Sequence, residues 1–182
     1  MKATQKLVVI AVLLVSCIGC DQTTKQIARS SLHMSPPRSF FNDLVRLQYA
    51  ENPGGMMSFG AELPEETRFW FLTVFVGLLL SGILLFTLFA RKLTTLQTVA
   101  LTLVVGGGFS NLLDRLHNDG YVIDFLNVGI GSLRTAIFNV ADVLILMGTF
   151  LLVFSSPLTG GRTKAAGTTQ RTEDEPGPGA SS

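Results

Sequence analysis

From Phe69 to Ala90 the chain reads FWFLTVFVGLLLSGILLFTLFA, 22 residues without a charge. As a helix this run covers about 33 Å, enough to cross the hydrocarbon core of a bilayer. Composition points the same way. Of the 182 residues, 47% are hydrophobic and 15% charged, where a soluble domain carries roughly 25% charged residues. Apolar surface left over once a core is filled aggregates in water, so a soluble globular domain is excluded, as is disorder over most of the chain. A net charge of +1 offers no basic face for nucleic acid. Two cysteines build neither a disulfide scaffold nor, alone, a four-ligand metal site. A small membrane protein remains.

Arg91 and Lys92 close the first run, and a second uncharged stretch follows from Leu93 to Leu113, with Gly106-Gly107-Gly108 near its end. Only a tight turn joins the two, so they form a helical hairpin. Leu7 to Cys20 is short for a span and suffices only if its helix continues through Asp21, Thr24 and Lys25. Ile137 to Phe154 is long enough but carries Asn139 and Asp142 near its start. Four membrane helices are expected, at about 7–25, 69–90, 93–113 and 137–154, with longer loops at 26–68 and 114–136. Lys2, Lys6, Arg91, Lys92, Arg162, Lys164 and Arg171 then share one side, the cytoplasmic side by the positive-inside rule. Both termini lie there and both longer loops face outward. Residues 1–156 form the membrane domain, and the Gly, Ser, Thr and Pro-rich segment 157–182 reads as a disordered cytoplasmic tail. Within the first outer loop, Leu44 to Tyr49 is strand-like and is followed by the turn signal Asn52-Pro53-Gly54-Gly55. Phe125 to Ile137 can supply its partner.

Ionisable groups at membrane depth are costly and therefore informative. The topology sets Asp21, Asp114, Asp124 and Asp142 at one level, the outer interface. Helix capping, or pairing with Lys25 and Arg115, accounts for Asp21 and Asp114. Asp142 differs, since it lies in the apolar run FNVADVLI with no basic neighbour in sequence. Desolvation disfavours a charged carboxyl, and a second carboxylate nearby disfavours it further. Two carboxyls sharing one proton can take a proton from water and protonate a carbonyl oxygen or leaving amine. Asp124, between apolar neighbours in VIDF, is one partner for Asp142, and Asp114 is the other. Spacing leaves both open. His33 and His117 read as solvated loop residues, Cys17 and Cys20 as helix-buried thiols, and Ser58 and Ser110 lack a base at recognisable spacing.

Four stretches, in order, resemble the lipoprotein signal peptidases (signal peptidase II), bacterial inner-membrane aspartyl peptidases. Asp21-Gln22-Thr23-Thr24-Lys25 is similar to the family's D-Q-x-[ST]-K, and Glu51-Asn52-Pro53-Gly54 to its E-N-x-G. Gly107 to Arg115, continuing through Gly120 to Phe125, is similar to G-G-x-x-G-N-x-x-D-R then G-x-V-x-D-F. Phe138 to Asp142 matches F-N-x-A-D. Two departures stand out: Gly55-Met56-Met57-Ser58 displaces an aromatic in the second motif, and Ser110 replaces a glycine in the third.

The resemblance implies four transmembrane helices with a small extracytoplasmic β-cradle and a surface helix, in the inner membrane. It implies a catalytic pair of Asp124 and Asp142, with Asn52, Gly54, Asn111, Arg115 and Asn139 binding substrate or orienting the pair. Asp114 would support Arg115, while Asp21 and Lys25 would be structural. The implied substrates are prolipoproteins carrying a diacylglyceryl-cysteine, cut just before that cysteine by a monomer among membrane lipids, with no metal or organic cofactor. Two other readings compete. One is a small proton-coupled transporter with Asp142 as relay; the other is a lipoprotein in its own right, because Leu14-Val15-Ser16-Cys17 resembles a lipidation site.

Overall fold

A computed structural model describes residues 2–55 and 58–155. Its elements are α1 (Ala3–Leu32), β1 (Arg38–Phe40), β2 (Val45–Asn52), α2 (Glu65–Phe89), α3 (Thr95–His117), β3 (Val122–Ile130), β4 (Leu133–Arg134) and α4 (Val140–Ser155). The protein is therefore mostly helical, with one small antiparallel sheet in the order β1-β2-β3-β4. By length and composition α1, α2 and α3 are each able to cross a membrane, and α4 is a shorter apolar helix. The expected tail at 157–182 lies outside the described residues, as do Met56 and Met57.

α1 runs well past the expected end at residue 25 because nothing breaks it before Pro36 and because one stripe is packed throughout. Ile10, Cys17, Asp21, Lys25, Ala28 and Leu32 are buried at spacings of three, four and seven, which is one face of a helix. Cys17, the cysteine of the lipoprotein reading, sits in the middle of this helix against α3; an intact N-terminal peptide in mass spectrometry would exclude that reading. Of the two cysteines only Cys17 is buried; Cys20 is exposed, because it lies off the packed stripe, about 100° round the helix from its neighbour Asp21. At the far end, Lys6 Nζ donates to the carbonyls of Ala90 (2.8 Å) and Leu88 (3.3 Å) and closes the C-terminus of α2.

α3 occupies the middle and touches each of the other three helices. Thr94 caps its start in a reciprocal pair with Gln97. Two of the threonines that dilute its hydropathy, Thr98 and Thr102, face inward. The hydroxyls of Thr98 and Thr102 donate to carbonyls one turn back, at 2.9 and 2.7 Å, so they are buried without an unmet hydrogen bond. The three glycines are consecutive because successive helical positions turn by about 100° and three neighbours must approach. A Cβ on Gly106 would stand 2.9 Å from the Cβ of Cys17 in α1. On Gly107 it would stand 2.5 Å from the Ala141 carbonyl oxygen of α4, and on Gly108 2.6 Å from a Leu80 methyl of α2.

Backbone cannot yield as a leucine methyl can. Gly107→Ala is expected to destabilise the bundle by about 1–3 kcal/mol. Gly108→Ala should be near neutral, its clash offset by the helix propensity gained, about 1 kcal/mol. Thermal unfolding in detergent measures both, and equal losses would contradict this account.

The sheet lies over one end of the bundle, where Ala28, Leu32 and Phe125 pack with Leu47, Tyr49, Leu126 and Val140. Asp119 and Gly120, both at positive φ, turn the chain from α3 into β3. After β4 the chain returns through a bridge between Phe138 and Leu126 and enters α4. One irregularity matters for the site. β2 and β3 pair Leu47 with Leu126 but Ala50 with Asp124, so β2 carries one extra residue. Side chains alternate with period two, so this single residue exchanges the faces of everything beyond it. Asn52 consequently pairs with Val122 and shares a face with Asp124. Residues 59–63 are turn and bend.

Candidate active site

Asp142 sits in the first turn of α4, and its placement follows from a local rule. Asn139 caps the helix: its Oδ1 accepts the Asp142 N–H (3.0 Å), while Asp142 Oδ2 accepts the Asn139 N–H (3.2 Å). N-x-x-D is thus a capping box with an aspartate in the usual glutamate position. Helix α4 begins after Asn139 rather than at residue 137, which leaves Asn139 free of the helix and fully buried.

Asp124 projects from β3, 2% exposed. It and Asp142 line one cavity of about 420 Å³, together with Asn52, Asn111, Arg115 and Phe138; Val143 and Leu146 continue its wall along α4. Each of the four carboxylate oxygens accepts an N–H. Asp124 Oδ2 accepts from Asn52 Nδ2 (3.0 Å) and Oδ1 from Asn139 Nδ2 (2.7 Å). Asp142 Oδ1 accepts from Asn111 Nδ2 (3.0 Å), its Oδ2 being held in the capping box. Asparagine suits this task because it is neutral: it fixes a carboxyl without neutralising it, as an arginine fork would.

Asn52 is set by a turn of its own. Its Oδ1 accepts the Gly54 N–H at 2.9 Å, and its Nδ2 reaches Gly55 O as well as Asp124. A Cβ on Gly54 would lie 2.6 Å from the carbonyl of Ser58, which explains a glycine there. The Gly54 carbonyl accepts from Arg115 Nη2 at 2.8 Å. The Nε of Arg115 is buried and has no hydrogen-bond partner among the described residues.

Burial pushes the Asp124 carboxyl up from 3.8 to about 6; the Asp142 charge raises it too, while Asn52, Asn139 and Lys25 oppose the shift. Between these values the folded protein holds a proton that the unfolded chain gives up, so stability declines as pH rises through about 4 to 6 and levels off above. Asp124→Asn lacks that decline. The Tm difference, variant minus wild type, should therefore grow between pH 4 and pH 7, and parallel curves would rule the shift out.

The remaining sequence-level candidates form a second cluster behind the first. Lys25 Nζ lies 2.7 Å from Asp21 Oδ2 and 2.9 Å from Asp114 Oδ2, with Lys25, Asp21 and Asp114 all buried. Asp114 does not bond Arg115, its neighbour in sequence, because adjacent positions on a helix diverge by about 100°. It turns to Lys25, to Gln22 Nε2 (2.7 Å) and to the Ile123 N–H (3.0 Å). Its rival claim to partner Asp142 lapses with that. Two members escaped the sequence reading. Ser110 donates its hydroxyl to Asp21 Oδ2 at 2.7 Å, and Gln22 ties Ser110 to Asp114. The i,i+4 spacing of Asp21 and Lys25 is the signal that could have exposed the cluster.

The fold is that of two solved structures described as bacterial membrane enzymes. Determined by the in meso method at 2.3 and 1.9 Å, they superpose with TM-scores of 0.69 and 0.67 over 80% of this chain and 85% and 90% of theirs. At 21% and 22% identity they establish the fold alone. Sequence goes further. The chain belongs to the signal peptidase II family, whose model, described as Signal peptidase (SPase) II, matches residues 13–158. The lipoprotein signal peptidase of Sphingopyxis alaskensis is 36% identical over 146 residues, 77% of this chain and 80% of that protein. That of Syntrophus aciditrophicus is 40% identical over 138 residues, 73% and 82%. The protein is thus a membrane-embedded peptidase.

Proposed function

We propose that this protein is an aspartyl endopeptidase that removes the signal peptide of prolipoproteins just before a diacylglyceryl-modified cysteine, with Asp124 and Asp142 as the catalytic pair. The carrying observation is the cavity in which both acids hang on uncharged N–H donors. Sharing one proton, one acid takes a proton from water while the other protonates the scissile carbonyl oxygen. The resulting tetrahedral intermediate expels the cysteine amine, which leaves with a proton from the pair. The unpartnered Nε of Arg115 is a donor available to a substrate carbonyl. Asn52, Gly54, Asn111 and Asn139 orient the acids and the loop above them; Asp114, Asp21 and Lys25 brace this frame.

In this reading α4, with 16 residues, spans as the fourth helix, giving a membrane domain of residues 1–156 in the cytoplasmic membrane with both termini inside. The sheet and the acid pair then lie at the outer interface, where a lipid-anchored substrate leaves the hydrocarbon. The enzyme acts as a monomer among lipids without a cofactor. A proton-coupled carrier would need polar groups through the membrane depth. Among the described residues, the buried charges Asp21, Lys25, Asp114 and Asp124 gather at the sheet end instead.

The test is purified protein in lipid nanodiscs with a synthetic prolipoprotein, with and without the diacylglyceryl group. Mass spectrometry should show one cut, immediately before the modified cysteine, and far slower cleavage of the unmodified peptide. Equal cleavage of both peptides, or a cut elsewhere, would refute the assignment.

A further inference from the structure

Three asparagine NH2 groups face the acid pair, and each amide needs its carbonyl held so that it cannot turn round. Asn52 Oδ1 is held by the Gly54 N–H and Asn139 Oδ1 by the Asp142 N–H, at 2.9 and 3.0 Å. Asn111 has no such anchor, because it lies inside α3, where neighbouring backbone N–H groups are committed to the helix. Its Oδ1 accepts instead from Lys25 Nζ at 2.8 Å, with Asn139 Nδ2 adding a contact at 3.1 Å. Turned over, the amide would set its NH2 against an ammonium and its oxygen against the Asp142 carboxylate.

We propose that Lys25 is a positioning residue for peptide cleavage: by holding Asn111 Oδ1 it commits Asn111 Nδ2 to Asp142. This rests on the peptidase reading above. The lysine is itself located by the elements that carry the acids. Its three N–H bonds are all used, on Asp21, Asp114 and Asn111. Asp21 Oδ1 accepts the N–H of Ala141, the residue before Asp142, at 2.8 Å. Asp114 Oδ2 accepts the N–H of Ile123, the residue before Asp124, at 3.0 Å. One ammonium thus registers α1, β3 and the start of α4 against a single amide in α3. A purely structural cation would need only the two carboxylates.

Removing Lys25 alone leaves two buried acids uncompensated, so the experiment uses Asp21→Asn as its reference. Asn at position 21 can still accept from Ala141. Adding Lys25→Met restores the cluster's original net charge of −1 and removes the ammonium that the new NH2 faces, so each double variant is compared with the wild type as well as with this reference. With the diacylglyceryl peptide as substrate, Lys25→Met in this background should lower kcat about 100-fold and leave KM within about twofold. Asn111→Ala should do the same, and the two together should lose no more than about threefold beyond the larger single loss, because both remove one interaction. Lys25→Gln, which keeps an N–H donor without the charge, should recover at least about tenfold relative to Lys25→Met.

Losses that multiply, equal kcat for the Met and Gln variants, or an unchanged kcat overturn the proposal. So does failure of both variants to insert, which would mark Lys25 as a structural cation only. If the unmutated protein does not cut the peptide, the peptidase reading fails; if it cuts while the losses multiply, only the role of Lys25 fails.

Discussion

Asp124→Asn and Asp142→Asn are each expected to lower cleavage by about 10⁴-fold or more, the upper range for loss of a positioned general acid or base. The two acids have different neighbours but one requirement. Water must lose a proton to one of them as the carbonyl gains one from the other, and an amide does neither. Both variants should fold, because asparagine is nearly isosteric and still offers one oxygen to the surrounding donors. The measurement is complementation of a bacterial strain lacking signal peptidase II, with membrane insertion confirmed by immunoblot and prolipoprotein processing read by mass. Full processing by either inserted variant, in a strain without wild-type enzyme, would end the aspartyl mechanism.

Asn139→Ala should produce the next largest loss, because one side chain performs two tasks. Its Oδ1 caps α4, and its Nδ2 donates to Asp124 and to Asn111. Loss of the cap costs about 0.5–2 kcal/mol. Loss of the donor strands Asp124 Oδ1 in a buried position and frees one side of Asn111, for which a fall in kcat of about 100-fold or more is expected. Asn139→Ser separates the effects. Serine is an equally good cap but too short to donate across to β3, so thermal stability should recover while kcat does not. Recovery of kcat in the serine variant would mean that the cap alone matters.

These two predictions were unequally legible in the residues. The resemblance to signal peptidase II pointed to Asp124 and Asp142, whereas spacing by itself left Asp114 as a rival. The rival fell for a reason no spacing contains: Asp114 bonds a lysine 89 positions earlier in the chain and a backbone N–H nine positions later. Asp114 makes no hydrogen bond to Arg115 and favours its charge only across space. Arg115 instead reaches the Gly54 carbonyl, 61 residues away. Ser110 replaces a glycine in the third motif and lacks a base at recognisable spacing. Its hydroxyl in fact supplies a buried donor to Asp21, which a glycine there could not.

What the chain alone determined is whatever depends on neighbours within one or two helical turns. Uncharged runs define the helices, Thr94-x-x-Gln97 and Asn139-x-x-Asp142 start two of them, and Gly106-Gly107-Gly108 prepares three successive faces for close approach. Tertiary structure decided what those faces meet. The extra residue in β2 places Asn52 on the same side as Asp124, and a strand one residue shorter would point it away. Lys25 received its third acceptor only when α1 packed on α3. Periodicity is a local property of a chain, whereas register and burial exist only between its parts, and the acid pair depends on both.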